Sequence, residues 1–429
     1  MYKDEIELNN RNLKIKRIKM LSSSSLIKIL LLLLLFQFIL MPKICMEIKV
    51  GILVSILFLT LGSRRFTLTI SKNAVILGIY IIFNVLNTLF GVIRGYGEVA
   101  IRSSTVSIVW PLLFFLFMGI KINREWFVFF YKVLIGLTLC ICIFDTLVLF
   151  SGLLGLLELR EFLMFFNLNQ VIGSNWSGIY AIRSDHIFLY AFLIPFIMSV
   201  MFRQTRDEYF ELGVSKGYVN FVCLYSILIG VLSGMGGVWL AEAIGFIICV
   251  FRYRNIRGRR VAFIVFVVGI VLIMAFFSYL SKGFAWYIYQ EVADHLFVQS
   301  RGIEDIRGNQ IKAMIELWMT SPLVGVGRGV PVGYWREGQN VLGAGGESSY
   351  FVMLYQSGII GVALFLALVI NGIKTLKVRY DVSWFCEPFI VGMVCFLIAN
   401  AFNPYLSNLS MIWILLFPLI INRGVDNGR

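Results

Sequence analysis

Glu347, Ser348 and Ser349 stand directly before the unbroken apolar run "YFVMLYQSGIIG". Charge is costly near hydrocarbon, so Glu347 is either an interfacial group at a helix start or a working group aimed at a substrate. As an interfacial group it would favour the positive N-terminal end of a helix, a place Ser348 and Ser349 would cap equally well. As a working group it can take a proton from an attacking hydroxyl. A second cluster, Arg183, Asp185 and His186, precedes another apolar run, "IFLYAFLIPF". Arg307 opens a third polar stretch, in which Arg301 and Arg328 are further candidates for holding phosphate or an acceptor sugar. A guanidinium fork matches phosphate geometry, and His186 can donate to phosphate as well. Arginines from separate segments and one carboxylate therefore make a constellation suited to a phosphorylated substrate. The bland alternatives are ion pairs: Arg183 with Asp185, and Arg307 with Glu304. His186 and His295 are the only histidines. Neither has a partner at metal-ligand spacing, so no metal and no cofactor is expected.

The elements that must carry these residues are membrane spans. The chain has 429 residues, 59% hydrophobic and 14% charged, with mean hydropathy +0.85. A soluble fold would carry about 25% charged residues. The formal charge of +14 does not point to nucleic acid, because the basic residues cluster between apolar runs. With about 20 apolar residues per crossing, the fold class is an all-α polytopic membrane protein of about twelve spans. They fall near 25–42, 48–62, 74–93, 104–120, 128–150, 186–202, 217–234, 237–251, 261–280, 349–372, 386–403 and 406–422. An N-terminal tail of residues 1–24 precedes them and a tail of residues 423–429 follows. With both tails in the cytoplasm, inner segments hold 26 of the 38 Lys and Arg residues and outer segments hold 12, as the positive-inside bias requires. The two long connections, 151–185 and 281–348, then lie outside, and "MPKICME" after the first run does not look like a signal cleavage site. The seven cysteines lie mostly in apolar runs without CxxC spacing and read as small core residues. Asp145 and Glu242 fall inside spans, where pairing within the bundle is at least as good a reading as a functional one.

The second long connection is the main functional question. "IEDIRGNQIKAMIELWM" (303–319) has an apolar stripe at 303, 306, 311, 314, 315 and 318, which predicts a helix. Ser321 and Pro322 end it, and Arg307 and Lys312 lie off the stripe's centre. The glycines of "PLVGVGRGV" (322–330) allow tight turns, and their free amides could cradle an anion. "PVGYWREGQNVLGAGG" then reads as a flexible loop able to cover a sugar chain, although Tyr334 and Trp335 serve equally as interfacial anchors.

The run from Arg307 to Gly361 resembles the signature region of the O-antigen polymerase and O-antigen ligase superfamily. Its marks are an arginine opening a helix, a Pro-Leu-x-Gly-x-Gly turn, and a polar site before "YxxxLxxxGxxG". "IRSDHIFLYAFLIPF" is similar to that family's earlier arginine loop, and "LSGMGGVWLAEAIGFI" (232–247) to its Ser-x-Gly-rich helix pair, with Met235 where an arginine is frequent. The resemblance implies a GT-C-like membrane glycosyltransferase, independent of metal, in a bacterial cytoplasmic (inner) membrane with its active site on the extracytoplasmic face. The donor would be a glycan on undecaprenyl pyrophosphate, with Arg183 and Arg307 holding the pyrophosphate. Relatives in the ligase branch usually have histidine where this chain has Glu347, which shifts the reading towards a polymerase. Such an enzyme moves a growing O-antigen, capsule or exopolysaccharide chain onto the next lipid-linked repeat unit, with a chain-length regulator protein as a possible partner. The alternatives are an O-antigen ligase and a lipid-linked oligosaccharide flippase or transporter.

Overall fold

Long apolar segments have one economical backbone solution in a bilayer, the helix, because each N–H and C=O must find its partner within the chain. A computed structural model describes residues 23–40, 46–62, 71–118, 122–154, 156, 161, 175–176, 179–180, 185–203, 212–233, 235–253, 306–336, 339–343, 345–346, 348–401, 406 and 411–421. Its helices are α1 (Ser23–Leu40), α2 (Met46–Leu61), α3 (Lys72–Ile93), α4 (Gly97–Ser104), α5 (Trp110–Phe117), α6 (Arg124–Leu153), α7 (Tyr190–Arg203), α8 (Lys216–Leu232), α9 (Gly236–Tyr253), α10 (Ile306–Met319), α11 (Ser349–Val378), α12 (Ser383–Ala399) and α13 (Trp413–Ile420). A π-turn, Thr105–Val109, joins α4 to α5, and a 3₁₀ turn, Asp185–Leu189, leads into α7.

Seven helices among the described residues are long and apolar enough to cross a membrane, and they fall on the expected third, fourth, fifth, sixth, eighth, tenth and eleventh spans. The expected first and seventh fall on shorter apolar helices, the second on α2 and the twelfth on the eight-residue α13. The expected span 261–280 and the tails 1–22 and 422–429 lie outside the described residues.

Helix α7 is the centre of the bundle. Every residue from Tyr190 to Val200 is buried, as expected of a helix that is apolar all round. It packs against α8, α9 and α12. Small residues permit the approach: a Cβ on Gly392 of α12 would lie 2.7 Å from the Phe192 carbonyl oxygen, and one on Gly245 of α9 would lie 2.7 Å from Pro195 Cβ. A second group joins α11 to α3 and α13, with α4 beside α3.

Two short hairpins depart from the all-helical expectation. β1 (Asn175–Trp176) pairs with β2 (Ile179–Tyr180), and β3 (Val332–Arg336) pairs antiparallel with β4 (Gln339–Gly343). The stretch expected to be a flexible cover is thus an ordered ribbon, with Val332 opposite Gly343 and Tyr334 opposite Val341. Along β3, buried Val332 and partly buried Tyr334 flank exposed Gly333, which fits the two-residue period of a strand. Val332 is buried, with Tyr334 partly so, in a small core of Met314, Val326, Val330 and Tyr355 that fastens α10 and the hairpin onto α11.

Candidate functional site

Three polar asparagine and tyrosine side chains share one face of α3. Tyr80, Asn84 and Asn87 recur at helical spacing, with Gly91 one turn further on, and all four are buried. Against this face lies the glycine-rich turn of residues 321–330. Gly325, Gly327 and Gly329 have φ of 75°, 100° and 77°, a region that L side chains avoid. Space demands glycine too: a Cβ on Gly327 would lie 2.8 Å from Gly91 N, and one on Gly329 would lie 2.5 Å from Ala100 N. The expected anion cradle is not what these amides form. Val326 N donates to Tyr355 O at 2.9 Å, Gly327 N to Gln356 O at 3.1 Å, and Arg328 N to Asn87 O at 3.2 Å. The turn is a plug sealed by its own backbone.

The plug is possible because α11 is broken. Gly358 takes φ 63° and ψ −169°, a non-helical conformation inside an otherwise continuous apolar helix. The break frees the carbonyls of Tyr355 and Gln356 for the turn, and the turn returns Pro322 O and Leu323 O to Ile359 N and Ile360 N, both at 3.0 Å. Asn87 Nδ2 clasps the junction by donating to Gln356 O at 2.7 Å and Val324 O at 3.3 Å. Irregular backbone within apolar helices is tolerated where protein satisfies it, and here it does.

This arrangement carries Arg328 into a cavity of about 450 Å³. The cavity is walled by α3, α4, the π-turn and α11, with Gly345, Gly346 and Ser349 along one edge. Arg328 is half-buried: its Nη2 donates to Asn84 Oδ1 at 2.7 Å and its Nη1 to Ser103 O at 3.4 Å. Its Nε is buried without a hydrogen-bond partner among the described residues. Burial lowers the Arg328 pKa, and Tyr80 and Tyr355 partly hold it up; arginine's ordinary value is so high that the group stays charged. Arg102 reaches the same cavity from α4. No Asp or Glu among the described residues lines it. The π-turn beside it places Ser107 in the wall, and such one-turn bulges recur at functional sites.

Of the residues singled out in the sequence, the structure describes some and not others. Glu347, Arg183 and Arg301 lie outside the described residues, as do the side chains of Arg307, Asp185 and Trp335. Position 307 is in the first turn of α10. The face that α10 buries runs through Gln310, Met314 and Leu317, while Ile315 and Met319 are exposed. The buried stripe is therefore rotated from the expected one. Lys312 is exposed as expected. Tyr334 sits on β3 against the small core, in packing rather than as an open cover.

His186 is fully buried, with Nε2 2.7 Å from Asp145 Oδ1, while Tyr190 Oη donates to Asp145 Oδ2 at 2.9 Å. The ring expected at the surface thus joins the 3₁₀ turn before α7 to α6, and Asp145 is engaged inside the bundle. Glu242, the other acid within a span, is buried against Gly230 of α8, its Oε1 without a hydrogen-bond partner among the described residues. The expected serine caps differ as well. Ser348 occupies the N-cap position of α11 without a side-chain capping bond. Ser349 Oγ instead donates to Asn400 Oδ1 at 3.2 Å and accepts from Leu406 N at 3.4 Å, tying α11 to the end of α12. The helix pair expected at 232–247 is present as α8 and α9, with Ser233 Oγ donating to Gly230 O at 2.6 Å at the corner.

Residues 221–366 match the O-antigen ligase family. The matched segment holds most of α8, with α9, α10, the glycine plug, the hairpin and the broken part of α11. It supplies Arg328, Gly345, Gly346 and Ser349 to the cavity, whereas Tyr80, Asn84 and Arg102 come from outside it. The match agrees with the resemblance seen in Arg307 to Gly361 and supports an enzyme of the O-antigen pathway. No curated protein matches the chain. Arg102, Asn84 and Asn87 were not singled out in the sequence. The signal that could have found them is polar residues at positions 84 and 87, on one turn of an otherwise apolar span.

Proposed function

We propose that the protein is a polysaccharide polymerase, an inverting glycosyltransferase of the bacterial cytoplasmic membrane. It spans the membrane about twelve times with both termini inside, and works on the outer face. The donor is a growing glycan on a polyprenyl diphosphate, and the acceptor is the next lipid-linked repeat unit. The acceptor hydroxyl oxygen forms a bond to the donor's anomeric carbon as the bond from that carbon to the diphosphate oxygen breaks. The leaving diphosphate keeps the electron pair, and Arg183 and Arg307 stabilise its growing charge. Glu347 takes the hydroxyl proton; Gly346, which precedes it in the chain, and Ser349, two positions on, are at the cavity edge.

The observation that carries this reading is that the segment matching the O-antigen ligase family supplies one of two arginines to a cavity without acidic lining among the described residues. That is the charge pattern wanted by a substrate carried on a lipid phosphate. The broken helix α11 favours a second reading, since interrupted helices line the substrate path in many transporters. In this chain the groups freed at Gly358 are bonded to the 321–327 turn, which leaves them unavailable to a passing substrate and returns the balance to an enzyme. A ligase shares the chemistry and differs in acceptor.

The surface glycans of a deletion strain test the proposal. Loss of a polymerase leaves single repeat units displayed. Finished polymer stranded on its lipid carrier would instead mean a ligase, and units retained in the inner leaflet a flippase. Arg183→Ala and Arg307→Ala are each expected to abolish long chains at normal protein levels.

A further inference from the structure

Polymerisation joins two lipid-borne glycans, each attached through a phosphate group, and so calls for two anion stations. We propose that the Arg102–Arg328 cavity is the acceptor station, holding the phosphate of the acceptor lipid while Arg183 and Arg307 serve the donor. The identity of the ligand rests on the polymerase reading; that an anion binds here rests on the cavity itself.

A guanidinium inside a protein requires a counter-charge or a full set of acceptors. The described partners of Arg328 are neutral, Asn84 Oδ1 and Ser103 O, and its Nε has none among the described residues. A second guanidinium, Arg102, enters the same space from a different helix, with no acid among the described lining residues to balance the pair. An anion between them would turn the repulsion of two like charges into attraction on both sides. The remaining wall says what kind of anion. Phe83, Val106, Phe365 and Leu406 face the same cavity, so its ligand has an apolar part beside the charge. A phosphate ester on a hydrocarbon chain meets both demands and a free inorganic ion meets one. The volume of about 450 Å³ is within the ~300–1,000 Å³ usual for ligand sites.

The cavity and the helix that follows the Arg183 cluster have different packing neighbours. The cavity is walled by α3, α4 and α11, whereas α7, the helix that follows the Arg183 cluster, packs against α8, α9 and α12. Arg102 also falls outside residues 221–366, so the family match gives it no role.

Purified full-length protein can be titrated with farnesyl diphosphate, a short lipid diphosphate without sugar, and its bound equivalents counted by native mass spectrometry. Arg102 is exposed, so Arg102→Gln keeps the fold, as a thermal melt verifies. Arg328 is pinned to Asn84 and is less suitable. Wild type is expected to bind two equivalents, and R102Q one, the lost event weakening by about tenfold or more, the usual scale for a charge-assisted hydrogen bond. R102K is expected to retain both. Two equivalents bound by R102Q at wild-type affinity would overturn the proposal. A single equivalent on wild type that R102Q abolishes would also overturn it, because one lipid site cannot serve two substrates. Inorganic pyrophosphate binding the Arg102-dependent station as tightly as the lipid would mean a free-anion site and would equally refute it. A deletion strain that kept its long glycans would sink the polymerase reading while leaving the binding result intact.

Discussion

Gly91→Ala tests whether the plug positions the cavity. Gly91 lies on α3 where the Arg328 backbone crosses it. A methyl there would fall on the Arg328 carbonyl oxygen and lie 3.0 Å from its carbonyl carbon and 3.1 Å from Ala100 Cβ. Non-bonded heavy atoms at rest sit ~3.5–4.0 Å apart, and the carbonyl oxygen is the nearest obstruction, so the turn must withdraw by roughly 1 Å or more. The obstruction is backbone, which cannot rotate aside as a side-chain tip would. Overpacking of this kind costs about 1–3 kcal/mol, set against the ~1 kcal/mol that alanine gains over glycine in a helix. Gly78→Ala in the same helix is the control, because nothing lies within 4 Å of its Cβ position. G78A is therefore expected to leave stability unchanged or raise it by up to ~1 kcal/mol. G91A should be about 1–3 kcal/mol less stable than G78A by thermal unfolding of the purified protein. A misplacement of ~1 Å at a reacting site can cost about 10²-fold in rate, so glycan extension by G91A should fall much further than its folded fraction. Equal stability and equal extension in the two variants would refute the reasoning.

Gly358→Ala demands a positive φ of an L side chain and drives its methyl onto the Leu323 carbonyl; strain alone costs ~1–3 kcal/mol, and a sharp loss of folded protein on gel filtration is expected. Asp145→Ala strips His186 and Tyr190 of their buried acceptor and should cost about 3–5 kcal/mol, whereas Asp145→Asn keeps an acceptor oxygen and should melt between that variant and wild type. Glu242→Met removes a buried carboxyl whose Oε1 has no described partner and should raise the melting temperature, since an unsatisfied buried acceptor costs ~1–3 kcal/mol; a lower melting temperature would show a partner role for Glu242.

The helices were legible because hydropathy and length report what a bilayer demands, and α3, α6, α7, α11 and α12 overlap the apolar runs that announced them. The break in α11 was not legible. "YFVMLYQSGIIGVALFL" is unbroken in hydropathy, and the turn that stabilises the kink lies more than 25 residues upstream of Gly358. The glycines of the turn were visible, yet their use was misread, since spacing cannot say whether an amide faces a ligand or a neighbouring carbonyl. Arg102 counted only as one outer positive charge in a short connection; its place in one cavity with Arg328, 226 positions later by numbering, follows from α4 packing beside α3 where the glycine turn crosses them. His186 looked like a surface group because it borders a polar cluster, but its acceptor, Asp145, was on another helix.

The central claim is glycan extension from one lipid carrier to another. Its most direct test gives the purified protein, with no other enzyme, a defined lipid-linked repeat unit and follows the products on a gel alongside the release of polyprenyl diphosphate. The expected result is a ladder at whole-number multiples of the repeat, with one diphosphate released per bond formed and the ladder lost in Arg307→Ala. Unextended substrate in the presence of folded protein, or transfer only to an acceptor that carries no repeat unit, would contradict the account.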